Sequence, residues 1–159
     1  MKREVLLALA LGAGAAAAQS GPAGWTATEI TLARCGASTP AFEFVTEWRD
    51  ERRRVRELRF SRRSLLDAYS DLTLAYNVAG RLREVRWNVT GDWDYGQLTW
   101  ELGSQENVIS VREAGRRDGL PYARQLPPAR YPVPDAYRLP PVLDAYQRLA
   151  CTDVSWPTR

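Results

Sequence analysis

The feature that most constrains this chain is an alternation of apolar and polar residues with a period of two, running from Trp25 to Glu113 and broken every 10 to 15 residues by turn signals. Side chains on a strand point alternately to opposite faces, so each such run predicts a half-buried strand rather than a helix. Ile30 and Leu32 alternate with Glu29 and Thr31, and Phe42, Phe44, Thr46 and Trp48 alternate with Glu43, Val45 and Glu47. Arg49-Asp50-Glu51 then reads as a reversal. Residues 53 to 60 fit a strand through Leu58 and Phe60, while Val55, Leu58, Leu65, Leu66 and Tyr69 also fit one face of a helix. We read a strand followed by a short helical turn around Ser64 to Tyr69.

The clearest element is a hairpin, Leu72 to Asn77 returning as Arg81 to Val89. Asn77 opens its turn and Gly80 closes it, where a three-residue hairpin loop needs positive φ and glycine supplies it without a Cβ clash. The stretch Tyr76-Asn77-Val78-Ala79-Gly80-Arg81-Leu82 is faintly similar to the repeat units of some bacterial surface proteins. It occurs once, and one copy does not make a repeat. Thr90-Gly91-Asp92 predicts a turn into Leu98 to Leu102, and Gly103 to Asn107 another into Val108 to Glu113.

No long helical pattern separates these strands, so parallel crossovers are excluded and an antiparallel meander follows. The predicted fold class is mainly β, or β-rich α+β: a single meander of six or seven strands, with barrel-like closure as one form it can take. Beyond Gly115, seven of the ten prolines (Pro121, Pro127, Pro128, Pro132, Pro134, Pro140 and Pro141) predict an irregular strap over 115–141, because proline fixes φ and withholds a donor. Residues 142–150 then read as a short helix whose Leu143, Tyr146, Leu149 and Ala150 share a face. Val85 and Trp87 on one side of a strand that shows Leu82 on the other predict a sheet covered by this helix and strap.

The N-terminal residues have the order of a secretory signal: Lys2, Arg3 and Glu4, an apolar run from Val5 to Ala18, and small residues before Gln19. We expect cleavage after Ala18, since a bilayer span needs about 20 apolar residues and this run is shorter and rich in Ala and Gly. That leaves 141 of the 159 residues, enough for one domain, with no transmembrane anchor after processing and a periplasmic or extracellular location. The mature part carries 20 Arg against 18 acids, a net charge of +2 that does not call for a nucleic-acid partner. Only Lys2 among the 22 basic residues is a lysine, a bias associated with GC-rich bacterial genomes.

Cys35 and Cys151 are the only cysteines, and in an oxidising compartment they predict a disulfide. The chain has no histidine, which excludes Ser-His-Asp and Cys-His nucleophiles, ordinary catalytic zinc and His-ligated haem. Neither a catalytic, a cofactor nor a metal motif is present. Glycoside cleavage by two carboxylates could draw on Asp92, Asp94, Glu101 or Glu113, but their separation is not written in a sequence. Asp92 and Asp94 in Gly91 to Gly96 echo a calcium loop, with Gly96 where a third oxygen ligand is needed, so ordinary turn chemistry explains them better. Asn88-Val89-Thr90 matches a glycosylation sequon.

Arg49 to Arg63 holds eight arginines and three acids, which offers either an oxyanion-binding patch or a solvated strand face. Trp87, Trp93, Tyr95 and Trp100 fall close together on two strands and their turn, as core residues or as a surface for a sugar ring or apolar ligand. The functional expectation is a non-catalytic envelope or secreted binding domain, its partner a cell-envelope glycan, a small hydrophobic ligand or another protein. A structural or assembly role and a carboxylate-dependent hydrolase are the alternatives.

Overall fold

The structure, a computed structural model, describes residues 21–36, 41–63, 69–90 and 95–152. The processing site, residues 64–68 and residues 91–94 lie outside these residues; of the helical turn read over Ser64 to Tyr69 only Tyr69 is described, and it is a strand residue at the start of β4, paired with Arg63 and Thr90. Eight strands follow one another: β1 (Thr26–Thr31), β2 (Phe44–Arg49), β3 (Val55–Arg63), β4 (Tyr69–Tyr76), β5 (Leu82–Thr90), β6 (Tyr95–Leu102), β7 (Val108–Arg117) and β8 (Leu120–Leu126). They form one antiparallel sheet in the order β1 to β8, and each strand pairs with its neighbours in sequence. Thus β1 and β8 are the two edges of an open sheet, and no pairing closes it into a barrel among the described residues. After β8 come two short 3₁₀ turns, Pro128–Arg130 and Asp135–Tyr137, and the helix α1 (Leu143–Ala150). Among the described residues no helix is long and apolar enough to cross a membrane.

One face of the sheet is covered. Two cross-strand rows line it: Ile30, Val45, Phe60, Leu72, Trp87 and Leu98, and beside them Leu58, Leu74, Val85, Trp100, Val111 and Leu126. Onto these rows pack Tyr146, Leu149 and Ala150 of α1, together with Val133 and Tyr137 of the proline-rich segment. Leu58, Phe60, Leu72, Leu74, Val85, Trp100 and Val111 are fully buried. At ~25 cal/mol per Å² of apolar area removed from water, this packing rather than strand propensity dominates stability.

Cys35 and Cys151 form the disulfide (Cα–Cα 5.4 Å) and tie the end of α1 to the chain just after β1. Gln147 adds a second clasp, its amide accepting from Ala33 N at 2.8 Å and donating to Ala33 O at 2.9 Å. Ala41 N also donates to Ala150 O at 2.7 Å.

Three local outcomes differ from the sequence reading, each for a stated reason. In β2 the faces are exchanged: Val45 and Glu47 point to the core, whereas Trp48 is buried on the opposite face. Phe42 reaches the core because it precedes β2, and its ring meets Phe60 at 5.6 Å and Trp87 at 5.7 Å. Leu82 lies on the same side as Val85, because the register shift beside Ala75 and Tyr76 adds a residue to β5 and pairs Leu82 with core-facing Tyr76. Finally, β7 runs to Arg117, and residues 120–126, expected in the irregular strap, form β8. Pro121 is tolerated there because β8 is an edge strand and one side of it needs no ladder hydrogen bond.

The hairpins β2–β3, β4–β5 and β6–β7 are three versions of one unit. Their turns bond identically: Asp50 N to Arg54 O, Asn77 N to Arg81 O and Gly103 N to Asn107 O, with Arg53, Gly80 and Glu106 donating back to the turn's first residue. Those three donors all have positive φ (60°, 76° and 59°), which only Gly80 adopts without strain. A register shift falls at the same place in each: Trp48/Arg49, Ala75/Tyr76 and Glu101/Leu102. Successive turns are also stitched together, since Arg54 Nη1 donates to Val78 O (3.3 Å) and Arg81 Nη1 to Ser104 O (2.9 Å). The hairpin read from Asn77 and Gly80 is therefore the middle member of a tandem array.

Candidate functional site: the exposed face of the sheet

Because the hairpins repeat in register, equivalent side chains line up across the face opposite α1. Thr46, Arg59, Thr73, Arg86, Thr99 and Arg112 are consecutive cross-strand neighbours from β2 to β7, threonine on the even strands and arginine on the odd ones. On one side of this row run Glu57, Ala75, Glu84, Glu101 and Ser110; on the other run Ser61, Asp71, Asn88 and Gln97. The face is thus striped with acids, guanidinium groups and amides.

Ion pairs and hydrogen bonds hold these groups in place. Arg59 Nη2 donates to Asp71 Oδ2 at 3.0 Å, while Arg86 pairs with Glu84 at 2.8 Å and with Glu57 at 3.6 Å. Asn88 Nδ2 donates to Asp71 Oδ1 at 2.6 Å and Gln97 Nε2 donates to Asn88 Oδ1 at 2.7 Å, so acid and amides form a chain across three strands. Burial, with Glu84 and Asp71 nearby, raises the Glu57 carboxyl above its ordinary value against the pull of Arg86 and Arg59. Thr73 and Thr99, each 5 % exposed, form the floor between the arginines. Arg112 is exposed and has no ion-pair partner among the described residues.

The aromatic residues nominated from the sequence do not share a surface. Trp87 and Trp100 lie on the covered face, where Trp87 stacks on Tyr137 (6.4 Å, 9°) and Trp100 Nε1 donates to Tyr131 O at 3.0 Å. Tyr95 is half-exposed on the other face, and Trp93 is outside the described residues. Trp87 Nε1 is buried without an acceptor among the described residues, a cost that its packing outweighs. Of the four carboxylates considered for hydrolysis, Glu101 is on the exposed face and Glu113 on the covered face, paired with Arg124. Those two cannot face one another across a cleft, and Asp92 and Asp94 lie outside the described residues. The sequon asparagine Asn88 uses its amide in the mid-sheet chain, so its nitrogen is not presented for modification.

Four of the eight arginines in the Arg49 to Arg63 cluster pair with carboxylates among the described residues. Arg49 pairs with Glu47, Arg54 and Arg56 with Asp50, and Arg59 with Asp71. Asp50 also caps its turn by accepting from Arg52 N and Arg54 N, and the Arg54 guanidinium, together with these bonds, lowers its carboxyl to about 2. Beside this turn lies a cavity of about 220 Å³ lined by Ala23, Trp25, Asp50, Glu51, Arg52 and Arg54. Trp25 closes one wall with its ring beneath Arg56 (5.3 Å).

Two buried carboxylates on the covered face were not legible as such in the sequence. Glu47 accepts from Tyr146 Oη at 2.7 Å and from Arg49 Nε at 2.5 Å, joining β2 to α1, and Glu113 is held by Arg124 of β8. The Tyr146 hydroxyl is pushed well above the ordinary phenol range, first by burial and then by its bond to Glu47. The exposed arginine row did leave a signal: Leu58-Arg59-Phe60, Val85-Arg86-Trp87 and Val111-Arg112-Glu113 recur every 26 to 27 residues, in step with Thr46, Thr73 and Thr99. No protein-family model, curated protein or solved structure matches the chain.

Proposed function

We propose that this is an exported, non-catalytic binding domain of the cell envelope or the extracellular medium, and that its working surface is the exposed face of the three-hairpin array. The observation that supports this is the repetition itself. One side of the sheet carries a threonine–arginine pair three times, two of the arginines (Arg59 and Arg86) held by ion pairs before any ligand arrives, while the other side is filled by its own chain. Pre-positioned polar groups lose little conformational freedom on binding, which is what a recognition surface needs. Trp87 and Trp100 serve packing, so the binding reading rests on the polar face. The Cys35–Cys151 bridge suits an oxidising compartment, and the N-terminal residues have the order of a cleaved signal.

The test has two parts. Host-cell fractionation with mass spectrometry should find the chain outside the cytoplasm and beginning near Gln19. Purified disulfide-bonded protein should then co-sediment with the insoluble wall fraction of those cells. Retention of Met1 in a cytoplasmic pool, together with no sedimentation, overturns the reading. An assembly role draws on one observation, the edge strands β1 and β8, each paired on one side only among the described residues. Concentration-dependent growth of oligomers in analytical ultracentrifugation would favour it.

A further inference from the structure

We infer that the cavity beside the first hairpin turn is a site for a guanidinium group brought by a second molecule. It lies apart from the row of threonines and arginines and does not depend on what that row binds. The internal repeat locates it. Continuing the β3–β4 register puts Arg54 opposite Val78, and continuing the β5–β6 register puts Arg81 opposite Ser104. Both contacts are made, Arg54 Nη1 donating to Val78 O at 3.3 Å and Arg81 Nη1 to Ser104 O at 2.9 Å. Val78 and Ser104 are each the second residue of their turn, and the second residue of the first turn is Glu51. The β1–β2 register, continued in the same way, sets Gly24 opposite Glu51. Those two do meet, since a Cβ built on Gly24 would fall 2.5 Å from Glu51 Oε1. Where the second and third turns receive an arginine, the first therefore faces a residue with no side chain, and there the cavity of about 220 Å³ opens.

The first turn offers the acceptor that the other two use. Glu51 O receives no hydrogen bond among the described residues, and the Glu51 carboxylate has no ion pair among them. A guanidinium carries five N–H donors in a planar fork, enough to serve a carbonyl and a carboxylate together. Trp25 adds an aromatic wall, and its ring already carries one guanidinium, that of Arg56 at 5.3 Å. Among the other charges of the lining, Asp50 and Arg54 pair at 2.8 Å, and Arg54 is drawn onward to Val78 O. Arg52 is exposed without an ion pair among the described residues, which makes an anion the competing ligand. The carbonyl decides between them, because it can only accept: a guanidinium donates to it and a carboxylate is repelled by it. The cavity also falls short of the roughly 300 Å³ at which small-molecule pockets begin, which suits a single side-chain group.

Nuclear magnetic resonance of the purified disulfide-bonded protein tests this by following the Trp25 indole N–H, assigned with Trp25→Phe. The probes are N-acetylarginine amide, the same arginine within an acetylated and amidated Thr-Arg-Thr tripeptide, the citrulline counterpart of each, and N-acetylglycine. Both arginine probes should shift the Trp25 signal, whereas the citrulline probes, alike in shape but uncharged, should not. Tighter binding of the tripeptide identifies the source as a polypeptide, and equal binding identifies it as a free small guanidinium compound. Glu51→Gln should weaken the arginine probes about fivefold, and circular dichroism should show this variant folded, Glu51 being exposed. Equal shifts from citrulline, tighter binding of N-acetylglycine, binding untouched by Glu51→Gln, or no shift from either arginine probe overturns the inference. Sedimentation with wall material, which tests the exposed face, is independent of all these results.

Discussion

The two faces of the sheet are built by the same strands and the same alternation, yet they solve opposite problems. On the covered face, side chains differ from strand to strand (Val45, Phe60, Leu72, Trp87 and Leu98 in one row) because each must fill a different space beneath α1 and the proline-rich segment. On the exposed face the hairpins repeat their residues, threonine then arginine three times over, where α1 and the proline-rich segment do not pack to force variety. Close packing makes a surface individual, and its absence lets the underlying repeat show. The difference implies a division of labour in which the covered face sets stability and the exposed face sets recognition.

The largest effect that would sharpen this division is loss of the clasp. Cys35→Ser with Cys151→Ser opens a loop spanning a separation of 116 residues, for which loop-closure entropy gives about 4–5 kcal/mol. Urea unfolding of the double variant should show a loss of that order. Next, Leu74→Ala on the covered face, where Leu74 is fully buried, should cost about 2–5 kcal/mol by the same measurement. A loss below 1 kcal/mol would mean that the covering layer does not hold the sheet.

Tyr146→Phe removes the hydroxyl that α1 donates to buried Glu47 and should cost about 1–3 kcal/mol, Arg49 remaining as the carboxylate's other partner. Smaller and of opposite sign is Arg53→Gly. Arg53 adopts φ 60° at the position that Gly80 fills in the next hairpin, so glycine there should raise stability by up to about 1 kcal/mol. Destabilisation by this change would argue that the first turn is not equivalent to the second.

Much of the fold is legible in the sequence because alternation and turn chemistry are local. The antiparallel meander, the Asn77 to Gly80 turn and the C-terminal helix over Leu143–Ala150 all follow from residues close to one another. The disulfide follows from there being only two cysteines. What fails is decided by tertiary contact. The exchanged faces of β2 depend on α1 bringing Tyr146 to Glu47, and alternation alone ranks Phe44 and Trp48 above Val45 and Glu47 as core residues. Leu82 departs from simple alternation because a bulge shifts parity by one, and Pro121 argues against a strand that an edge position nevertheless accepts as β8. Of the candidate site, Trp87 and Trp100 are core packing, Tyr95 is exposed on the other face, and Trp93 lies outside the described residues. The repeat is hard to read in the sequence because Arg53 and Glu106 occupy the two turn positions where a glycine would announce it.

Arg112→Ala tests the division between the faces most directly when unfolding stability and co-sedimentation with wall material are measured on the same preparation. Removing an exposed side chain with no ion-pair partner among the described residues should leave stability within about 0.5 kcal/mol of the parent and sharply reduce the sedimented fraction. Unchanged sedimentation, or a stability loss comparable to that of Leu74→Ala, would contradict the assignment of recognition to the exposed face.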